Sequence, residues 1–350
     1  MRQKDKYIQP DPEELEFERN FGEAAETVQT ELDDDFELHR IHTQQLGRLV
    51  MELGDWQRAE KIRNCGTFLR FAIPGDFGEK PFLWQASFCK DRLCSLCGWR
   101  RSLKVYSQIS QVMDVIQNDY RFIFVTLTLR SVDDEHLIDA INYLQKAWHL
   151  FLTYKEPRAS FRGYFKALEI TKNPGLIGME YHPHLHIIFA VDKKNYFQGD
   201  EYISFDRLRT LWQKALGVQY APMVNIKAVK GKGTPDGKTV SYVNAIAEVA
   251  KYTLKSGDLF KGSHMDQLRT VRTLTQALRG RRLCSFGGIF KKTWQELKLP
   301  DPEEVELTDQ DRIRSDVWYH IVNAVWEPRS KHYTLHYSGI EDKLKRRKRK

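Results

Sequence analysis

Three histidines alternate in Tyr181-His182-Pro183-His184-Leu185-His186, and an apolar run from Ile187 to Val191 follows directly. The run is rich in β-branched side chains and reads as a buried strand. Alternate side chains share a face of a strand, so His182, His184 and His186 point one way and Leu185 and Ile187 the other. Neutral imidazoles are common transition-metal ligands. Two on one strand can hold an ion together if a neighbouring strand supplies a third ligand. A half-exposed edge could also carry three histidines, but the chain has only 11, and three of them fall here at strand period.

A second group is Cys65, Cys89, Cys94 and Cys97, four of the five cysteines within some thirty residues. The Cys94-x-x-Cys97 spacing lets two thiolates reach one tetrahedral ion across a tight turn, and Cys89 and Cys65 could complete a structural Zn²⁺ site. Alone, such a pair could be a redox couple or two core cysteines. Cys284 stands apart and reads as a small buried residue. The third group is Glu248, Tyr252 and Lys255, three and four residues apart. On one helix that spacing presents a carboxylate, a phenol and an amine side by side. A tyrosine oxygen can act as a nucleophile on a phosphodiester when a metal polarises the phosphate. By itself Tyr252 would read as a half-buried core aromatic.

The elements that must position these groups are legible in part. A helix is expected from about Ile41 to Arg63, and another from Gly98 to Gln117, with Leu103, Tyr106, Ile109, Val112, Met113 and Ile116 at helical spacing. Phe122 to Leu129 alternates as a strand. Ser131 or Asp133 then caps a helix whose Leu137, Ile141, Leu144, Trp148 and Phe151 form one apolar stripe. Gly163 to Thr171 is the next strand, and Asn173-Pro174-Gly175 and Gly178 turn it into a hairpin with the histidine strand. Phe205 to Leu216 reads as a short helix, Met223 to Val229 as a strand, Gly231 to Lys238 as a basic turn, and Thr239 to Lys255 as a helix. Leu268 to Arg279 is expected to be helical, and Arg279 to Gly288 to be a basic turn or hairpin. The order β-α-β-β-α-β-α implies an α+β fold, an antiparallel sheet with helices on one face in the ferredoxin or RRM manner, preceded by the cysteine-rich segment.

At 350 residues the chain can bury one large core or two smaller ones. No stretch is long and apolar enough to span a bilayer, and the opening residues lack the apolar region of a signal peptide. Reduced thiols in a cytoplasm are therefore expected. Residues 1–40 hold 13 acidic and 5 basic residues, so the remainder of this +8 chain carries +16. Such a body suits a polyanion such as nucleic acid. The acidic region is expected to be disordered or loosely helical, and the basic tail, residues 341–350, disordered. Between them the expected divisions are a helical, cysteine-rich segment over 41–105, a domain built on the histidine strand over 106–260, and an extension packed on it over 261–340.

The ordered set of motifs resembles the rolling-circle replication initiators of small plasmids, within the HUH endonuclease superfamily (His, bulky hydrophobic, His), and the initiators with a Glu-x-x-x-Tyr motif most closely. Phe124-Val-Thr-Leu-Thr-Leu129 resembles the family's first motif, His182-Pro-His-Leu-His186 the metal motif, and Glu248-Val-Ala-Lys-Tyr252-Thr-Leu-Lys255 the catalytic helix. Phe88 to Arg101 resembles the cysteine segment, and Arg281-Arg-Leu-Cys-Ser-Phe-Gly-Gly288 the distal basic segment. The resemblance spans residues 60 to 295. It implies that Tyr252 attacks one strand at the double-strand origin, leaving a 5′-phosphotyrosine and a free 3′-OH, and that Glu248 activates water at termination. It also implies a catalytic Mn²⁺ or Mg²⁺ on His184 and His186, with Glu169 favoured over His182 as the third ligand. Arg100, Arg101, Lys104, Lys251, Arg281 and Arg282 are the expected DNA contacts. Origin DNA, a host helicase and a polymerase are the expected partners, and no membrane. A mobilisation relaxase, a single-strand transposase, or a non-catalytic zinc-containing DNA-binding regulator are the competing readings.

Overall fold

The computed structural model describes residues 12–32, 34–75, 79–175, 178–197, 199–230, 239–251, 256–342 and 344. The turn expected at Gly231–Lys238 and nearly all of the basic tail lie outside them, as do Tyr252 and Lys255. In chain order the elements are α1 (Pro12–Gln29), α2 (Asp34–Glu52), α3 (Trp56–Arg63), β1 (Phe68–Pro74), β2 (Phe82–Ala86), α4 (Ser95–Ile116) and β3 (Tyr120–Thr128). Next come α5 (Leu137–Thr153), α6 (Lys155–Ser160), β4 (Phe161–Gly175), β5 (Gly178–Asp192), α7 (Phe205–Leu216), β6 (Val224–Lys230) and β7 (Thr239–Ser241). The chain finishes with α8 (Tyr242–Ala250), α9 (His264–Ala277), β8 (Cys284–Gly287), α10 (Gly288–Glu296), β9 (Tyr319–Glu327) and β10 (His332–Glu341).

The segment β3-α5-β4-β5-α7-β6 is a β-α-β-β-α-β unit, and its strands lie side by side in the order β6-β3-β5-β4, all antiparallel. This is the ferredoxin arrangement expected from the element order. The stripe Leu137, Ile141, Leu144, Trp148 and Phe151 of α5 is fully buried, and it packs with α7 on the face carrying Ile123, Val125, Leu185 and Ile187. Burying each of these large side chains contributes about 2 kcal/mol. α7 is delimited as the sequence suggests: the Ser204 side chain accepts from the Arg207 N–H, and Gly217 ends the helix in the left-handed region at φ 61°.

Helices cover the second face too, where one face was expected. There α4, α8 and α10 bury Val105, Ile109, Val112, Ile246, Val249 and Phe290 against Phe122, Phe124, Phe165 and Ile188. The basic segment expected as a turn or hairpin supplies β8, which extends the sheet beyond β4. The crossing into α10 needs glycine: a Cβ on Gly163 would lie 2.5 Å from the Ile289 nitrogen, and Gly288 has φ +55°.

A second antiparallel sheet, in the order β10-β9-β1-β2, joins the two ends of the chain. The last strands thus pair with β1 rather than with the ferredoxin sheet. Over the residues described the acidic region is helical, one of its two expected states, and it is packed rather than loose. Ala24, Val28, Leu32 and Phe36, four residues apart, are buried, and the Phe36 ring meets Trp99 at 4.8 Å between centroids. The stretch expected as one helix from Ile41 to Arg63 divides at Gly54, which has φ +85°.

Candidate metal centres and active site

The histidine strand is β5, at the middle of the ferredoxin sheet, and Glu169 on β4 is paired directly with His184. The side chains of Glu169, His184 and His186 are all buried, on the face covered by α4 and α8. His186 Nε2 lies 2.7 Å from Glu169 Oε2, His184 Nε2 lies 3.4 Å from the same oxygen, and the two imidazole nitrogens are 3.1 Å apart. His184 Nδ1 stands 3.0 Å from the His182 carbonyl, which only accepts, so Nδ1 donates there, and Nε2, facing Glu169, is the nitrogen that would offer its lone pair to an ion. His186 Nδ1 meets the Thr126 hydroxyl at 3.1 Å, and its ring stacks on Phe124.

Two imidazole nitrogens and a carboxylate oxygen thus converge on one point, and a cation among them offsets the buried carboxylate charge. A proton can serve: burial alone would push the Glu169 carboxyl up, but hydrogen bonds from His184 and His186 overcome it and hold the group well below the usual carboxylate range. A divalent ion fits equally well. Ligands about 2.1 Å from an octahedral ion stand roughly 3 Å apart, close to the spacings observed. The three residues could therefore hold a metal ion. His182, kept open as a ligand from sequence, is not in this set. Its half-buried ring stacks on His184 with centroids 5.2 Å apart, and burial lowers its pKa.

Above the triad sits α8, started by the Ser241 side chain on the Asn244 N–H. Its Glu248 places Oε1 3.8 Å from His186 Nε2 and pairs with Lys251. The helix begins at Tyr242, later than expected, and ends at Ala250, with Lys251 extended at ψ 144°; the expected continuation to Lys255 lies outside the described residues. Sequence reasoning missed how near Glu248 comes to the imidazoles, because that distance depends on how α8 packs across β5.

The four cysteines form a second centre. Sulfur separations are 3.6 Å for Cys65–Cys94, 3.5 Å for Cys65–Cys97 and 3.7 Å for Cys89–Cys97. A tetrahedral ion with bonds of about 2.3 Å sets sulfurs roughly 3.8 Å apart. The backbone N–H groups of Lys90 and Asp91 point at Cys97 and Cys89 from 3.3 and 3.5 Å. Cys94 immediately precedes α4, where free N–H groups favour a thiolate. These residues could also hold a metal ion. Cys284 remains outside both centres.

A family model described as "Replication protein" matches residues 80–334. The chain belongs to the replication protein family. A "Protein rep" of Bacillus amyloliquefaciens is 36% identical over 295 residues, 80% of this chain and 85% of its own length. Another, from a Bacillus species, is 38% identical over 263 residues, 72% of this chain and 84% of that one. A third, from Streptococcus pneumoniae, is 32% identical over 289 residues, 80% and 85% of the two chains. No solved structure matches. No helix among the described residues is long and apolar enough to cross a membrane.

For a replication protein the disposition of the basic residues matters, and it departs from expectation. Arg100 is buried and pairs with both Asp309 oxygens at 2.9 and 3.0 Å, and its Nε donates to the Leu307 carbonyl. Lys104 pairs with Asp309 at 2.7 Å and with Asp311 at 3.2 Å. Burial raises the Asp309 carboxyl, but these two cations win and hold it low. Asp309 also accepts from the Leu83 N–H, so the group fastens α4 to β2. These two cations are structural ties rather than free phosphate contacts. Arg281 donates to the Ala277 carbonyl and to Asn142. Arg282 makes an exposed pair with Asp301 at 2.9 Å, weak enough for a phosphate to displace. Arg101 and Lys251 do come together, lining one small cavity at the end of α8. Arg100→Ala is expected to cost ~2–4 kcal/mol, since it strips a mostly buried carboxylate of its closest bidentate partner. A thermal melt checks this, and origin-DNA affinity at fixed salt should stay unchanged.

Proposed function

We propose that the protein initiates rolling-circle replication of a plasmid by nicking one strand at the double-strand origin, with Tyr252 as nucleophile. The observation that carries the reading is the buried Glu169–His184–His186 set with Glu248 of α8 3.8 Å from His186. Two of the histidines and Glu248, one member of the third group, thus stand close together. A divalent cation held by the triad, Mn²⁺ or Mg²⁺, would polarise the scissile phosphate, Mn²⁺ suiting mixed imidazole and carboxylate ligands.

The phenol oxygen of Tyr252 attacks phosphorus and the bond to the 3′ oxygen breaks. The phenol loses its proton and the departing 3′ oxygen takes one up, so the products are a 5′-phosphotyrosine and a free 3′-OH that primes synthesis. Lys255, three residues along the chain from Tyr252, is assigned the cation that favours the ionised phenol. At termination Glu248 takes a proton from water, which then releases the strand. Zn²⁺ on Cys65, Cys89, Cys94 and Cys97 is structural in this reading. Origin DNA is the substrate, Arg101 and Lys251 being the phosphate contacts nearest α8, and a host helicase and polymerase extend the primer.

The test is incubation with Mn²⁺ and an end-labelled origin oligonucleotide, followed by denaturing electrophoresis. The parent protein should give a covalent protein–DNA band, and Tyr252→Phe none, a loss of at least about 10³-fold because no other atom replaces the phenol. Absence of a band with the parent would leave a DNA-binding regulator as the better reading.

A further inference from the structure

Arg40 lies on α2 with 1% of its surface exposed. Its Nη2 donates to the Arg63 carbonyl at 2.8 Å, but Nε and Nη1 are buried with no hydrogen-bond partner. Among the described residues no carboxylate pairs with it. An isolated cation in such a place is strongly unfavourable. Its surroundings are the cysteine centre. A Cβ on Gly66, next to Cys65, would stand 3.4 Å from Arg40 Cδ, and one turn along α2 the Thr43 hydroxyl contacts Cys94 Sγ at 3.4 Å. Burial pulls the guanidinium pKa down, and the electrostatic influence of Tyr333 and of the Cys65, Cys94 and Cys89 sulfurs opposes this.

We propose that Arg40 is the buried counter-charge of a zinc tetrathiolate formed by Cys65, Cys89, Cys94 and Cys97. Four thiolates and one Zn²⁺ carry a net charge of −2. Arg40 supplies one positive charge, and the start of α4 with the Lys90 and Asp91 N–H groups offsets part of the rest. Four neutral thiols would instead leave the guanidinium uncompensated. The unpaired arginine and the cysteine cluster thus explain each other, and α2, which begins within the acidic region, forms the outer shell of the metal site. The Trp326 ring 5.4 Å below the guanidinium adds a cation–π contact from β9.

This inference rests on the zinc reading above, and the experiment separates the two. Zinc content of the full chain is measured by atomic emission, and zinc affinity by competition with a chromophoric chelator. Arg40→Met keeps the bulk of the stem and removes the charge, and Arg40→Lys keeps the charge. The parent should hold one zinc at this centre, Arg40→Met should bind it 10- to 100-fold more weakly, and Arg40→Lys should stay much closer to the parent. Because the defect is in affinity, added zinc should bring the Arg40→Met melting temperature back toward that of the parent. A parent without zinc overturns the zinc reading and this inference with it. A zinc-loaded parent with unchanged affinity in Arg40→Met overturns only the role of Arg40. So does a melting loss, or a failure to fold, that excess zinc does not recover, or an Arg40→Lys protein as weak as Arg40→Met.

Discussion

His184→Ala or His186→Ala should lower nicking by about 10³-fold or more, the several kcal/mol a bound cation supplies at a phosphate, while origin-duplex binding stays within a few-fold. Each change removes one of three convergent ligand atoms, so the ion is lost or misplaced. Duplex affinity comes mainly from lysine and arginine contacts to phosphates, which neither change touches. His182→Ala is the contrasting variant. Its ring stacks on His184 but does not reach the convergent point, so nicking should fall less than about tenfold. Nicking time courses in Mn²⁺ and gel shifts at one salt concentration check all three. Equal losses of binding and nicking in the His184 and His186 variants, or a His182→Ala protein as inactive as they are, would count against the triad.

The triad was legible because strand period is a local property. His184 and His186 share a face whatever else the chain does, and the turn-rich Asn173-Pro174-Gly175, which closes β4, signalled the hairpin that brings Glu169 opposite His184. The choice between Glu169 and His182 was not legible from the pattern, since both lie on the correct face. It depends on side-chain direction across the β4–β5 pair. The C-terminal end of α8 was hidden for a related reason: Ala247-Glu-Val-Ala-Lys251 contains no glycine or proline to mark a stop.

The second sheet was invisible because its pairings are non-local. Phe68 pairs with Val325, more than two hundred residues away, and no local pattern encodes such a partner. The buried helices of the acidic region did leave a signal. Ala24, Val28, Leu32 and Phe36 keep a four-residue period through a run of charges, but overall charge outweighed it. Arg100 misled for the opposite reason. An arginine beside a basic cluster reads as a phosphate contact until its partner Asp309, far along the chain, is in place.

Glu248→Gln should separate the two halves of the reaction. The substitution keeps the side-chain shape, so α8 should pack unchanged, and the pair with Lys251 that is lost is a partly exposed contact of about 0.5 kcal/mol. In the proposed reaction initiation needs the phenol and the cation, so covalent adduct formation should stay within about tenfold of the parent. Release needs water deprotonated beside the same phosphate, and an amide cannot take that proton, so termination should fall by 10²–10⁴-fold. In a plasmid replication assay the variant should then run past the origin and accumulate multimeric single strands. The 3.8 Å separation between Glu248 and His186 creates a rival role, as a group that helps hold the cation. The rival predicts a different pattern: weaker Mn²⁺ binding, and initiation and termination reduced together, with higher Mn²⁺ restoring both. Selective loss of termination at every Mn²⁺ concentration supports the general base. A variant that terminates as cleanly as the parent eliminates it.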